Sequence, residues 1–161
     1  HRGDAIQRYA VTMRIALAFT IALAACSSPP TSSRVSTDDA PKLLIDRNWM
    51  DRMPETDRDK LFVYRFVPSM GGGVFQDRTL FKGTFELFSF SATGERITFD
   101  LHETKDKVTS LYIIERVDGP APFDLKLTIP DDPRGPKVYF GMRSETDRDG
   151  GKLEQRLHAI H

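Results

Sequence analysis

From position 61 onward, apolar residues recur at every second position in short runs. Ile97, Phe99 and Leu101 alternate with Arg96, Thr98, Asp100 and His102, and Phe123, Leu125, Leu127 and Ile129 alternate with Asp124, Lys126 and Thr128. Successive side chains on a β-strand point to opposite faces, so this period of two marks strands with one buried face. Leu61, Phe62, Val63, Tyr64, Arg65, Phe66 and Val67 form a β-branched and aromatic run of the same kind. Further strands are expected at 74–78, 80–91, 107–117 and 137–142. The separators are turn-forming clusters: Pro68 to Gly73, Ala92-Thr93-Gly94, Asp118 to Pro122, and Asp131 to Pro136. With an N-terminal strand near 43–50 the count is about eight, which predicts an all-β fold, an antiparallel meander closed into a barrel or packed as a sandwich.

The N-terminal piece supports two patterns. Leu43, Ile45 and Trp49 suit a strand face, and Ile45, Trp49 and Met53 suit a helix face; the strand is the expectation adopted. Leu153, Leu157 and Ile160 fall at i, i+4 and i+7, which predicts a short C-terminal helix over 152–161, with Asp149 as its cap.

Ahead of the β region lies a different kind of sequence. Met13-Arg14 is followed by an eleven-residue apolar stretch, Ile15 to Ala25, and then Cys26, the single cysteine. A spanning helix needs about 20 apolar residues, so the stretch is too short to cross a bilayer but suits the core of a signal peptide. Leu23-Ala24-Ala25-Cys26 resembles the lipobox of bacterial lipoproteins. The resemblance implies a diacylglyceryl group on the Cys26 thiol, cleavage before Cys26 and an acylated new amino terminus. Two or more acyl chains anchor a protein stably without spanning. Ser27 follows where aspartate favours inner-membrane retention in enteric bacteria, so the resemblance implies an outer-membrane lipoprotein facing the periplasm or the cell surface. Residues before Met13 are expected to be upstream sequence, and Arg2-Gly3-Asp4 within them is discounted.

These observations divide the chain into 1–25 (upstream residues and signal peptide), 26–41 (a lipidated tether rich in Ser, Thr, Pro and Asp), 42–143 (the β domain) and 144–161 (a polar tail with the short helix). A segment as polar as 27–41 cannot bury enough surface to fold alone. About 100 residues suffice for one core. Removing 1–25 takes away Arg2, Arg8, Arg14 and Asp4 and leaves a formal net charge of −2. No basic footprint for nucleic acid is present.

About eight strands, one tryptophan in the first and a short helix after the last resemble the lipocalin-type barrel. The resemblance covers roughly 42–161 and implies a Trp at one barrel end packed on a basic residue near the end of the last strand: here Trp49 and Arg143. Arg47 stands where that family has glycine, two residues before the Trp.

Motifs for chemistry are incomplete. Glu-Thr-Asp-Arg-Asp occurs at 55–59 and 145–149; aligned as a calcium loop, the second copy puts Arg156 where a bidentate glutamate belongs. Gly71-Gly72-Gly73 lacks the Lys-Ser/Thr and helix of a phosphate loop and reads as a flexible loop at a barrel mouth. His102 beside Glu103 has no companion at metal-ligand spacing, and no serine sits in a Gly-x-Ser-x-Gly elbow. No metal, cofactor or catalytic set is expected, and the balance leans away from an enzyme.

Ten of the eleven phenylalanines lie in the folded part. They can fill an eight-stranded barrel or line an apolar pocket in it. Trp49, Phe85, Phe99 and Tyr112 are the candidate ligand-lining residues. Over 80–90 both faces carry apolar groups, which predicts a bulge or an exposed aromatic patch, with Phe88 and Phe90 as its candidates. The expected function is a lipid-anchored binding module for a small apolar ligand or lipid. The alternative is a structural lipoprotein with a filled core that docks an envelope protein, and a hydrolase stands third.

Overall fold

The computed structural model describes residues 33–160, so Cys26 and the signal segment lie outside the described residues. The strands are β1 (Ser33–Arg34), β2 (Asn48–Met50), β3 (Leu61–Val67), β4 (Gly72–Arg78), β5 (Gly83–Ala92), β6 (Arg96–Leu101), β7 (Lys107–Leu111), β8 (Ile113–Arg116), β9 (Leu125–Thr128) and β10 (Val138–Gly141). Two helices, α1 (Ala40–Leu44) and α2 (Gly151–His158), flank them. The fold is all-β, as the periodicity predicts.

The ten strands form one antiparallel sheet in the order β1-β8-β9-β10-β2-β3-β4-β5-β6-β7. β7 and β8 are halves of one strand bent at Tyr112. The first half pairs with β6 and the second with β9, so the pairing path curls round and returns to the same piece of chain. A single curled sheet is barrel-like; the sandwich arrangement is not adopted. At the bend the Tyr112 amide donates to the Glu95 carbonyl at 3.0 Å.

Register decides which residues meet inside. Tyr64 lies opposite Trp49 on one side and Phe75 on the other, and Phe90 lies opposite Phe99. Directly opposed residues share a face, so the aromatic residues of β2, β3, β4, β5 and β6 converge. The Tyr64 ring centroid is 4.7 Å from Phe75, 5.1 Å from Tyr139, 5.7 Å from Phe88 and 5.8 Å from Phe99. Such pairs add about 0.5–1.5 kcal/mol each beyond area burial. Leu125, Leu127, Ile114 and Tyr112 complete this cluster.

A second, outer cluster forms where α2 covers the sheet's convex side. Leu153 and Leu157, one turn apart, pack with Met50, Leu61, Val63, Leu80 and Phe123. The predicted terminal helix is therefore present. Its cap is not Asp149. Asp147 accepts the backbone N–H groups of Lys152 (3.1 Å) and Leu153 (2.8 Å), while the cap position itself is Gly150 at φ 83°.

Two expectations near the N-terminus are corrected. Residues 33–41 are not a free tether: β1 pairs with β8, the Val35 amide donates to the Ile114 carbonyl at 2.8 Å, and Val35 and Ala40 are buried. The expected strand over 43–50 divides. Pro41 sits in the first turn of α1, where its fixed φ suits a helix start. Ala40 and Leu44 bury one face four residues apart. Asp46 reverses the chain at φ 52°, and β2 begins two residues later.

The ambiguity over 80–91 also resolves. Pairing runs unbroken from Gly73 opposite Phe88 to Arg78 opposite Gly83, with no bulge. Thr79 to Lys82 form the hairpin turn, closed by a 2.7 Å bond from the Thr79 amide to the Lys82 carbonyl. Phe88 is 1% exposed and faces inward, so the expected Phe88/Phe90 patch is absent. Phe81, Phe85 and Leu87 are the exposed apolar groups instead, at 64%, 69% and 52%.

Candidate ligand cleft

One end of the barrel is formed by α1, the β3–β4 turn and the last residues of β5. The β3–β4 turn is a single 3-10 turn, Pro68–Met70, followed by Gly71 at φ 80°, whose amide donates to the Pro68 carbonyl at 3.0 Å. Ile45 pairs with Phe66, and the Asp46 amide donates to the Phe66 carbonyl at 2.8 Å, which seats α1 across β3.

Between these pieces lies a cleft of about 440 Å³ walled by Pro41, Lys42, Ile45, Pro68, Phe90 and Ala92 and floored by Gly71 and Gly72. A volume of ~300–1,000 Å³ suits a small ligand. Gly71 and Gly72 also border a smaller hollow of about 140 Å³, which continues to Met70, Leu87 and His102. Lys42 is the charged residue of the larger lining, and its ammonium lies 3.2 Å from Asp39. The Ser36 hydroxyl first, and Lys42 next, hold the Asp39 carboxyl below its ordinary value.

The closeness of the strands here depends on Gly72. A Cβ at that position would sit 2.0 Å from the Phe88 carbonyl oxygen, so a side chain would force β4 away from β5.

The predicted site residues do not share a pocket. Trp49, Phe99 and Tyr112 are buried in the barrel cluster, whereas Phe85 is on the outer surface. The Trp49 indole N–H donates to the Leu44 carbonyl at 2.9 Å, which ties the barrel interior to α1 directly beneath the cleft. The Tyr112 hydroxyl donates to the Thr93 carbonyl at 2.5 Å, and burial pushes its pKa up to about 12. Of the expected Trp49–Arg143 pair, Trp49 is fully buried. Arg143 is exposed and bonds through its backbone amide to Asp124. Arg47, 4% exposed, instead donates to the carbonyls of Leu43, Met142 and Glu145, joining α1 to the end of β10. Two of those carbonyls come from the segment after β10, 95 and 98 residues away in sequence.

His102 borders the smaller hollow, and its Nε2 lies 2.9 Å from the Ser89 hydroxyl. A serine–histidine pair needs a group orienting the other ring nitrogen and donors for an oxyanion. Among the described residues no hydrogen bond holds His102 Nδ1, Glu103 is exposed, and Ser89 is outside the hollow's lining. No cluster of metal-ligating side chains occurs among the described residues. The two Glu-Thr-Asp-Arg-Asp copies serve different turns. In the first, Asp59 accepts the amides of Glu55 and Thr56; in the second, Asp147 accepts those of α2.

The opposite barrel end carries a buried polar group that sequence reasoning did not single out. Asp132, 9% exposed, accepts the hydroxyls of Tyr64 (2.7 Å) and Tyr139 and the amides of Arg134 (2.9 Å) and Lys137 (3.3 Å). Burial first, and the Asp132 charge second, push both tyrosine pKa values well above the ordinary value. The Arg134 guanidinium spans Phe75 and Phe88 at 5.4 and 5.3 Å and binds Glu86 at 2.6 Å. With both Asp132 oxygens engaged, this arrangement closes the barrel end rather than offering a reactive acid. Comparison with known protein families, with curated proteins and with solved structures returns no match to this chain.

Proposed function

We propose that this chain is a binding module for a small apolar ligand or lipid, and that the ligand occupies the α1–β5 cleft rather than the barrel interior. The observation that carries the reading is the 440 Å³ hollow with Ile45, Pro68, Phe90 and Ala92 on its walls. The aromatic cluster around Tyr64 argues against an interior site, because the rings pack on one another at contact distance. Native mass spectrometry of the protein purified from its own envelope tests the reading. Bound lipid, lost in an Ile45→Asp variant that stays folded, is the expected result. A lipid-free protein that carries a protein partner instead would overturn it.

The same proposal places the protein at the outer membrane through a lipid on Cys26. It rests on the sequence running from arginine through an apolar stretch and small residues to cysteine at 14–26. A Cys26→Ser variant should leave the membrane fraction; one that stays membrane-bound would sink the anchor.

A further inference from the structure

Two hydrogen-bonding atoms at the seam between β2 and α2 are buried and have no partner among the described residues: Asn48 Oδ1 and Arg156 Nε. Buried polar groups are nearly always paired, with protein or with ordered water. Asn48 is 8% exposed, and its other end fixes its orientation. The Nδ2 group donates to the Asp147 carboxylate at 2.7 Å. Turning the amide over would set Oδ1 against that carboxylate, acceptor against acceptor. Oδ1 is therefore the end left over. Arg156, in the second turn of α2, is held similarly. Its Nη2 donates to the Glu145 carboxylate, while its Nε–H is the donor left over.

Both residues line one small hollow, walled on its apolar side by Met50, Phe123 and Leu153. Those three are at most 4% exposed. The hollow measures about 10 Å³. A single water needs roughly 10–15 Å³, so there is room for one water and for nothing larger.

The chemistry of the lining selects the occupant. Asn48 Oδ1 can only accept, and Arg156 Nε can only donate. An anion would suit Nε but would meet the Oδ1 lone pairs with its own negative charge. A cation would suit Oδ1 but would stand against the guanidinium groups of Arg156 and of Arg47, which also borders the hollow. Water satisfies both: it donates one O–H to Oδ1 and accepts from Nε–H. Its second O–H has Glu145, the other side-chain acceptor of the lining. Three bonds is the usual number for a buried water.

From these observations we infer that the hollow is a binding site for one structural water, which joins Asn48 Oδ1 to Arg156 Nε. Asn48 then clamps α2 at two places, directly at its capping residue Asp147 and through the water at Arg156. The site shares no lining residue with the ligand cleft, so the two are tested independently.

Oxygen-17 magnetic relaxation dispersion counts the waters that a protein holds for longer than it takes to tumble. Arg156→Lys keeps the positive charge and the reach to Glu145 but puts a methylene where Nε stood. The variant should hold one long-lived water fewer than the wild-type protein, with unchanged circular dichroism. A crystal structure of the wild-type protein, at a resolution that shows ordered water, should place a water within hydrogen-bond reach of both atoms. Equal dispersion in the two proteins, or a wild-type map with no peak between the two atoms, overturns the inference. So does an anomalous bromide peak there in crystals grown with sodium bromide, which would assign the hollow to an anion. Should Arg156→Lys fail to fold, the wild-type maps decide alone.

Discussion

The Asn48 side-chain amide donates to the Asp147 carboxylate at 2.7 Å, across 99 residues of sequence. The bond joins β2 to the chain just ahead of α2, and both residues are buried. The same carboxylate accepts the amides of Lys152 and Leu153. Asp147→Ala removes a helix cap and strands the Asn48 amide. Loss of a cap costs about 0.5–2 kcal/mol, and a buried unsatisfied donor about 1–3 kcal/mol. A total near 3 kcal/mol is expected in urea unfolding. Asp149→Ala, at the exposed position first expected to cap the helix, should cost well under half of that.

The same carboxylate gives the fold an acid limit. Burial pushes the Asp147 pKa up, but the Asn48 amide, the backbone amides of Leu153 and Lys152, and Arg65 together hold it below its ordinary 3.8. A group whose folded value is depressed stabilises the fold above its unfolded value and loses that contribution as pH falls through the folded one. Stability should therefore decline as pH drops below about 4. Asp147→Asn should make this decline shallower, measured as unfolding midpoint against pH.

At the other barrel end the sign is reversed. Tyr64 and Tyr139 both have pKa values raised above 10.0 by burial and by Asp132. An unfolded tyrosine ionises near 10 while these two stay protonated, so their contribution is complete below that pH and is lost as pH rises past it. Phenolate absorbance should show Tyr112 titrating near its raised value of about 12, and Tyr64 and Tyr139 ionising only as the barrel unfolds. Tyr139→Phe should cost about 1 kcal/mol. Asp132→Ala, which leaves two buried hydroxyls unpaired, should cost about 3 kcal/mol or more.

Strand positions were legible because each strand buries one face and repeats it at every second residue. β3 coincides with its expected bounds for this reason, and β6 ends one residue short of them, at Leu101. β1 was not legible: Ser33 and Arg34 are exposed and join the sheet through backbone bonds, which leave no mark on side-chain pattern. Arg47 and Arg143 are chemically alike in sequence, and only the fold brings the Met142 and Glu145 carbonyls to the first, from 95 and 98 residues away. Asp132 reads as a turn residue until the fold brings Tyr64 to it from 68 residues away. The cleft was half legible. Gly71 and Gly72 of the triple glycine mark its floor, but its walls come from α1 and β5, which no local pattern brings together.

The triple glycine supplies the remaining prediction, because its members face different surroundings. At Gly71 the space around a Cβ is open, but φ is 80°; a left-handed alanine costs roughly 1 kcal/mol. At Gly72 φ lies outside the left-handed range, and the obstacle is backbone: the Phe88 carbonyl oxygen at 2.0 Å and its carbon at 3.0 Å. A carbonyl held in the β4–β5 ladder cannot turn aside as a flexible side chain would. Gly72→Ala must therefore part β4 from β5 or bend β4, losing ladder bonds at the floor of the cleft, and should cost about 2 kcal/mol or more. Urea unfolding of the two single variants separates these effects. A larger loss for Gly71→Ala than for Gly72→Ala would show that conformational freedom in the turn, rather than close approach of the strands, is what the glycines supply.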